Sequence, residues 1–152
     1  GITGDAFHIT APHDEGAGGA KAIVQAMEIA EVNSSDIDYI NAHGTATPLN
    51  DASETRAIKT VFGQKAYKMA ISSTKSMTGH MMGATGSLEA FFCAQAINKQ
   101  ISPPTIHYET PDPDCDLDYV PNTARDECIN VAISNSFGFG GHNSVLLFKK
   151  YA

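Results

Sequence analysis

The sequence lacks the features that mark membrane, secreted and nucleic-acid-binding proteins. It contains no apolar run near the roughly 20 residues that a membrane-spanning helix requires. No basic start followed by an apolar stretch and a small-residue cleavage site is present, so we predict no secretory signal. Acidic residues outnumber basic ones by 17 to 10, and the net charge of −7 argues against electrostatic binding to nucleic acid. We therefore expect no membrane and no nucleic acid among the partners.

Cysteine is scarce, and its spacing excludes a disulfide framework. The three cysteines are Cys93, Cys115 and Cys128, with no CxxC pair among them. An odd number at irregular spacing is typical of a reducing compartment. Cys93 lies in the apolar run LEAFFCAQAI, where we expect a buried and inert thiol. None of the three lies in a recognisable nucleophile motif.

Metal and nucleotide motifs are also missing. The six histidines include no pair at the i, i+4 spacing of helical metal ligands. There is no P-loop, and GAGGA at 16–20 begins a predicted helix without the G-x-G-x-x-G spacing of dinucleotide-binding folds.

The composition that remains is that of one folded domain. A chain of 152 residues with 42% hydrophobic and 18% charged residues can bury a sizeable core. The predicted order is β-α-β-α-β-α, a long loop and β-β, which indicates a layered α/β fold. The predicted strands are residues 6–11, 36–44 leading into a loop, 69–76, and a hairpin of 129–136 and 143–150. The predicted helices are residues 16–31, 47–63 and 79–100, and a surface excursion rich in Pro and Asp occupies 102–127.

Two of the helices carry local signals. In the second, Asp51 is predicted as the N-cap and Glu54, three residues later, completes a capping box, while Gly63 ends the helix. The first presents one apolar face, composed of Ala20, Ile23, Val24, Met27 and Ala30.

His43 follows a predicted strand directly, in the segment NAHGTATP. The ends of strands are where α/β proteins commonly place functional side chains. Gly44 permits a tight backbone, and Thr45 and Thr47 offer hydroxyl groups. The alternative is a His-Gly turn with structural hydroxyls, and the residues alone leave both interpretations open.

His80 lies near the predicted start of the long helix, in STKSMTGHMMGATG. The partial positive charge of a helix N-terminus disfavours imidazolium, and a neutral imidazole can donate a hydrogen bond or accept a proton. Lys75 adds a second positive influence. The alternative is an exposed histidine beside a solvated lysine.

The stretch NSFGFGGHN, residues 135–143, separates the two strands of the predicted hairpin. A simple turn needs one glycine, whereas this stretch has three glycines and two phenylalanines. One interpretation is a flexible turn with both aromatic rings buried as plugs.

Three segments, NAHGTATPLND, SSTKSMTGHMMGATGSLEA and NSFGFGGHNSVLLFKK, resemble the C-terminal signature blocks of β-ketoacyl-acyl-carrier-protein synthases. The likeness is to the elongating synthase II of bacterial fatty-acid synthesis, and it runs from about residue 3 to the end. It implies a thiolase-like fold, in which two similar α/β halves form the layers α-β-α-β-α around the active site. Residues 1–152 would be the C-terminal half, a mixed sheet flanked by helices, and the N-terminal half with the nucleophilic Cys would be absent.

The resemblance implies catalytic roles for five residues. His43 and His80 would be the histidines of a Cys-His-His triad, which hydrogen-bond the malonyl thioester carbonyl and stabilise the enolate. Lys75 would hold the electrostatics around His80, and Glu89 would be a buried acid in the same polar network. The backbone N–H of Phe139 would form half of the oxyanion hole, and its ring would gate the acyl pocket.

The resemblance also implies binding roles. Thr45 and Thr47 would hydrogen-bond the phosphopantetheine arm of the carrier protein. The loop of Phe137, Gly138, Gly140 and Gly141 would approach the thioester and move. The family also shows a structural cation, and the matching positions are Asn41, Glu54, Glu89, Ser134 and Asn135.

The implied activity is a decarboxylative Claisen condensation of an acyl thioester with malonyl-ACP, without an organic cofactor. The implied partners are the acyl carrier protein, the N-terminal half of the same enzyme and, in the intact enzyme, a second copy in a homodimer. The implied location is the bacterial cytoplasm, with an organelle as the alternative. Without the nucleophile, we expect the chain to be inactive alone.

Two other interpretations stay open. A non-catalytic partner subunit, like the chain-length factors of polyketide systems, would keep the fold without the chemistry, but a scaffold needs neither the two histidines nor Lys75. A polyketide ketosynthase would keep both. The end of the chain at FKKYA favours a discrete synthase, and the start without Met suggests a mature product or a fragment.

Overall fold

The computed structural model of the chain describes residues 1–151, which fold into a mixed sheet with helices on both faces. The strands are β1 (Ile2–Gly4), β2 (Tyr39–Asn41), β3 (Ala70–Ser72), β4 (Ile101–Ser102), β5 (Arg125–Asp126), β6 (Val131–Gly138) and β7 (His142–Lys149). The α-helices are α1 (Ala17–Ala30), α2 (Pro48–Phe62), α3 (Lys75–Thr78) and α4 (Thr85–Lys99). Short 3-10 helices occupy Ser34–Asp36, Gly63–Lys68, Met82–Ala84 and Phe139–Gly141.

The main sheet has the strand order β1-β7-β6-β2-β3. β2 runs parallel to both of its neighbours, and its last residue, Asn41, pairs with Ser72 of β3 and Ser134 of β6. β7 is antiparallel to β6 and to β1. The segments that follow β2 and β3 therefore leave the same edge of the sheet, where β6 also continues.

Alternating side chains along the strands build a core on each face of the sheet. Ile40 and Ile133 belong to the cluster that α1 and α2 cover, whereas Tyr39 and Ala132 belong to the cluster that α4 covers. Parallel strands buried on both faces are continuously apolar, as β2 and β6 are at this level of the sheet. The result is three layers, helix–sheet–helix, and the predicted mixed sheet flanked by helices is confirmed.

Several predicted elements are confirmed with small shifts. Residues 16–31 form α1, the final hairpin forms β6 and β7, and Gly63 ends α2 with a positive φ of 53°. The excursion after α4 is mostly irregular, apart from the two-residue pair β4–β5. Within α1, the prediction for Val24 was wrong, since its side chain is 39% exposed.

The strand predicted at residues 6–11 is absent, and the real first strand is β1. The chain leaves β1 through Asp5, whose backbone N–H donates to the Gly141 carbonyl at 2.9 Å, and then through Ala6 with a positive φ of 48°. The ring of His8 then accepts the backbone N–H of Thr10 at 3.1 Å, which makes a local turn. These groups are therefore not available for a sheet ladder.

The predicted N-cap of α2 and the predicted start of the long helix were wrong. α2 begins at Pro48 with Thr47 as its N-cap, and Asp51 lies inside the first turn. Glu54 forms no capping box, because its carboxylate binds backbone groups elsewhere in the fold. α4 begins at Thr85 rather than at 79, because Gly79 and Met82 have positive φ values of 70° and 50° that interrupt a helix.

Candidate functional site

His43 and His80 meet beyond the carboxyl edge of the sheet. His43 lies two residues after β2, and His80 follows the short helix α3 that leaves β3. Their rings have centroids 5.7 Å apart and an interplanar angle of 85°. The ring of Phe137, near the end of β6, lies 5.9 Å from that of His43. Three segments that are far apart in the sequence therefore converge on one place.

The fold keeps His43 neutral. Its side chain is buried, and burial, with smaller contributions from Lys75 and His80, lowers its pKa from 6.5 to about 3. A neutral imidazole can donate one hydrogen bond without carrying a charge into the site. Its Nδ1 atom is buried and has no hydrogen-bond partner among residues 1–151.

The tautomer of His80 follows from its contacts. Its Nδ1 accepts the backbone N–H of Met82 at 3.1 Å, so in the neutral ring the proton must lie on Nε2. His80 precedes α4 by five residues, and its Nδ1 lies 3.3 Å from Oγ1 of Thr85, the first residue of that helix. The sequence therefore placed His80 near the start of the helix, while the backbone hydrogen bond from Met82 fixes the tautomer of the neutral ring.

A buried ion pair lies behind the histidines. The Nζ of Lys75 is 2.5 Å from Oε1 of Glu89, and both side chains are almost fully buried. Burial raises the pKa of Glu89, while the contact with Lys75 opposes that rise. α3 supplies the lysine and α4 the glutamate, so the pair joins the segment before His80 to the helix after it.

Sequence reasoning missed the local role of Glu54. Its Oε1 accepts the backbone N–H of His43 at 2.8 Å, and its Oε2 accepts that of Gly44 at 2.9 Å. Asn135 donates to the same Oε1 at 3.0 Å. The burial of Glu54 raises its pKa, and the hydrogen bonds from Gly44, Asn135 and His43 oppose that shift. This carboxylate therefore fixes the backbone that carries His43.

Three buried oxygens in this region have no hydrogen-bond partner among the described residues. They are Oε2 of Glu89, Oγ of Ser134 and Oδ1 of Asn135. A hard cation binds oxygen ligands, but Ser134 and Asn135 are consecutive on β6, so their side chains point to opposite faces of the sheet. The other two candidate ligands are already engaged, since Asn41 bonds Thr74 and Glu54 bonds backbone N–H groups. Residues 1–151 contain no cluster of three or more His, Cys, Asp or Glu side chains placed to hold a metal ion.

Thr45 and Thr47 lie on the exposed loop after His43. Their hydroxyl oxygens are 2.9 Å apart, and Ala46 between them has a left-handed φ of 56°. Both line a cavity of about 790 Å³ that also reaches Lys75 and His80. The hydroxyls are thus available to a ligand that approaches His80 through this cavity.

The Phe-Gly loop places its two rings differently. Phe137 is half-buried against the core, whereas Phe139 is 76% exposed, so the interpretation of two buried plugs was wrong. Gly140 and Gly141 have positive φ values of 79° and 73°, which favour glycine, whereas Gly138 is extended. A Cβ at Gly141 would lie 2.9 Å from the Cβ of Asp5.

Two of the three cysteines lie in surroundings that disfavour a thiolate. Burial raises the pKa of Cys93 to about 12, which confirms the inert thiol expected from the sequence. Cys115 lines the cavity, but burial and nearby aspartates raise its pKa too. Cys128 is exposed.

None of the helices in residues 1–151 combines the length and apolarity needed to cross a bilayer.

Comparison with known proteins gives consistent matches. Residues 1–109 match the family model of the beta-ketoacyl synthase C-terminal domain. The 3-oxoacyl-[acyl-carrier-protein] synthase 2 of Staphylococcus aureus strain COL is 57% identical over 151 residues, and that of Synechocystis sp. is 55% identical over 150. Each alignment covers 99% of this chain and 36% of the relative, so the chain spans just over a third of these proteins.

Solved structures agree in fold. A ketosynthase in complex with a type II polyketide acyl-carrier protein superposes with a TM-score of 0.97 at 40% identity, over 99% of this chain and 37% of that one. A beta-ketoacyl synthase from Burkholderia phymatum superposes with a TM-score of 0.92 at 36% identity, over 100% of this chain and 36% of that one. The thiolase-like fold is thereby confirmed. The chain belongs to the β-ketoacyl synthase family and corresponds to its C-terminal domain.

Proposed function

We propose that this chain supplies the two-histidine part of the active site of a β-ketoacyl-ACP synthase in fatty-acid elongation. The observation that carries the proposal is the pairing of His43 and His80, with ring centroids 5.7 Å apart. One ring is held neutral by burial, and the other has its proton directed to Nε2. Imidazole N–H groups on two adjacent rings suit an oxygen that becomes negatively charged.

The reaction has two half-reactions. An acyl group first moves from the thiol of its carrier to a cysteine thiol, and the free carrier thiol is released. Malonyl-carrier then loses CO2, and the resulting enolate carbon attacks the acyl-cysteine carbonyl. The cysteine thiolate leaves and takes up a proton, and the carrier holds a β-ketoacyl chain that is two carbons longer.

His43 and His80 would donate hydrogen bonds to the malonyl thioester oxygen as the C–C bond to CO2 breaks. The buried pair of Lys75 and Glu89 would hold the segment of His80 and keep a positive charge near the enolate. The backbone N–H of Phe139 would bind the oxyanion formed at the acyl carbonyl. Its ring, which is 76% exposed, would gate the acyl pocket.

The nucleophilic cysteine would come from an N-terminal half outside this chain. The relatives are almost three times as long as the aligned segment. Burial raises the pKa of Cys93, burial and nearby aspartates raise that of Cys115, and Cys128 lies in no recognisable nucleophile motif. The partners would be that half, a second copy in a homodimer, and an acyl carrier protein. A polyketide ketosynthase has been solved with such a carrier, which supports the last.

The carrier's phosphopantetheine arm would reach the histidines past Thr45 and Thr47, and no organic cofactor would take part. A structural cation would draw its ligands from the residues that match the family positions, among which Oε2 of Glu89 and Oγ of Ser134 are buried without a hydrogen-bond partner in residues 1–151. When bound, it would satisfy these buried oxygens.

The second candidate is a polyketide ketosynthase, favoured by the TM-score of 0.97 to a polyketide system. The chain is nevertheless 57% identical to a synthase 2 and 40% identical to the polyketide enzyme. The product separates the two functions. One round of condensation gives a single β-keto group in fatty-acid elongation, whereas repeated condensation without reduction gives a poly-β-ketone.

The test uses the complete synthase that contains this chain and its His43→Ala and His80→Ala variants. We expect each to lower the rate of malonyl-carrier decarboxylation by about 10²-fold to 10³-fold, the usual effect of losing an oxyanion donor. Transfer of the acyl group to the cysteine serves as the internal control and should persist. Decarboxylation at the wild-type rate in both variants would contradict the proposal, as would condensation by the 152-residue chain alone.

A further inference from the structure

The cavity beside His80 has a lining segment with no role so far. Besides the loop of Thr45 and Thr47, its lining includes residues 105–110, which we call the strap, and the ring of Tyr119. Ser73 joins the two segments. Its hydroxyl donates to the Gly44 carbonyl at 2.7 Å, and its backbone N–H donates to Thr105 Oγ1 at 3.0 Å. The strap therefore borders the same cavity beside His80 as the two threonines do.

The strap has no regular secondary structure, yet hydrogen bonds fix it at both ends. The backbone N–H of Thr105 donates to the Val120 carbonyl at 3.0 Å, and the backbone N–H of Ile106 donates to Ser76 Oγ at 3.0 Å. Asn122 holds the other end, since its Oδ1 accepts the Tyr108 N–H at 2.9 Å and its Nδ2 donates to the Tyr108 carbonyl at 2.8 Å. A wall held in this way keeps its shape when a ligand enters.

The strap presents an aromatic surface to the cavity. The ring of Tyr108 stacks on that of Tyr119, with centroids 6.4 Å apart and an interplanar angle of 27°. The Tyr119 hydroxyl is hydrogen-bonded to Thr55 Oγ1 at 2.6 Å, which fixes the Tyr119 ring. Tyr108 is only half-buried, and no described side chain bonds its hydroxyl. His107, next to it, holds a left-handed φ of 61°, a strained conformation that the surrounding bonds maintain.

We propose that Tyr108 is a binding residue for the phosphopantetheine arm, and that the strap forms the wall of the arm channel that complements Thr45 and Thr47. This inference rests on the proposed function. The arm is a flexible chain with two amides and a branched dimethyl group, so the flat face of Tyr108 suits its apolar part, and the hydroxyls of Thr45 and Thr47 suit its amides. The fixed Tyr119 ring beneath keeps Tyr108 in place for this contact.

The test compares long and short substrates in the complete synthase. Malonyl-carrier fills the whole channel, whereas malonyl-N-acetylcysteamine carries only the end of the arm nearest the histidines. We expect Tyr108→Ala to raise the KM for malonyl-carrier by about fivefold to tenfold, with kcat changed by less than about twofold. The KM for the short thioester should not change. Tyr108→Phe keeps the aromatic ring and should have the wild-type KM. Tyr151→Ala, at a side chain that is 97% exposed, is the matched control and should leave both KM values unchanged.

Each outcome bears on the inference. An unchanged KM for malonyl-carrier would overturn it, and so would an equal rise for both substrates, since that would indicate a strap that has merely loosened. If Tyr108→Ala does not fold, Tyr108→Leu keeps apolar volume without the flat ring. It is expected to raise the KM for malonyl-carrier and to leave the KM for the short thioester unchanged. A wild-type synthase that condenses no carrier-bound substrate would instead refute the proposed function.

Discussion

Glu54→Gln is the substitution that tests the organisation of the site most directly. Glu54 is 4% exposed, and each of its oxygens accepts one backbone N–H, from His43 at 2.8 Å and from Gly44 at 2.9 Å. Glutamine has the same shape but only one acceptor oxygen. Whichever way its amide is turned, an NH2 group faces one of these backbone N–H groups, and that N–H loses its partner.

The magnitude follows from these contacts. A hydrogen bond to a charged group contributes about 1.5–3 kcal/mol, and an unsatisfied buried donor costs about 1–3 kcal/mol. Removing a buried charge offsets part of this loss, because burial raises the pKa of Glu54. Asn135 gives partial relief by turning its amide, since its Oδ1 has no other partner. We therefore expect the free energy of unfolding to fall by about 2–4 kcal/mol.

Urea unfolding at pH 7 measures this loss, with Glu28→Gln, an exposed position on α1, as the matched control. In the complete synthase, the Gln variant should also lose decarboxylation, because the backbone that carries His43 is released. A fall in unfolding free energy below about 0.5 kcal/mol, together with unchanged decarboxylation, would refute the reasoning, since that is the ordinary effect of a surface substitution.

Two further predictions concern the surroundings of His43. Because its pKa is lowered from 6.5 to about 3, the unfolded chain binds more protons between those values. The free energy of unfolding should therefore fall by about 3–5 kcal/mol as pH decreases through this range. His43→Asn should weaken this pH dependence, measured by urea unfolding at several pH values. The same pH dependence in the wild type and the variant would contradict a buried neutral ring. A Cβ at Gly19 would lie 2.8 Å from Phe137 Cζ, so Gly19→Ala should cost about 1–3 kcal/mol through overpacking. It should also lower decarboxylation, whereas Gly4→Ala, with open space around it, should do neither.

The elements themselves could be read from local patterns. The apolar period of α1, the glycine that ends α2 and the two apolar runs of the hairpin depend on neighbours within one or two turns. His43 could be placed at the end of a strand for the same reason. Such features form wherever the chain is locally consistent with the fold, so tertiary contacts only reinforce them.

The errors occurred where distant groups compete for the same polar atoms. The spacing of Asp51 and Glu54 satisfies the pattern of a capping box, but the N–H groups of His43 and Gly44 are stronger partners for a buried carboxylate. Likewise, residues 6–11 were predicted as a strand. The Ile9 carbonyl instead accepts the backbone N–H of Gly140, and the preceding Asp5 donates to the Gly141 carbonyl, both more than 130 residues away.

The sequence was sufficient to indicate the layered fold, the place of His43 after a strand and the glycine-rich loop between the last strands, because these depend on residue type and short-range order. The tautomer of His80, the neutrality of His43 and the wall formed by Tyr108 and Tyr119 follow from the tertiary structure alone. Each of these depends on burial or on a hydrogen bond between segments that only the folded chain brings together. The order of residues along the chain does not show which segments will meet in this way.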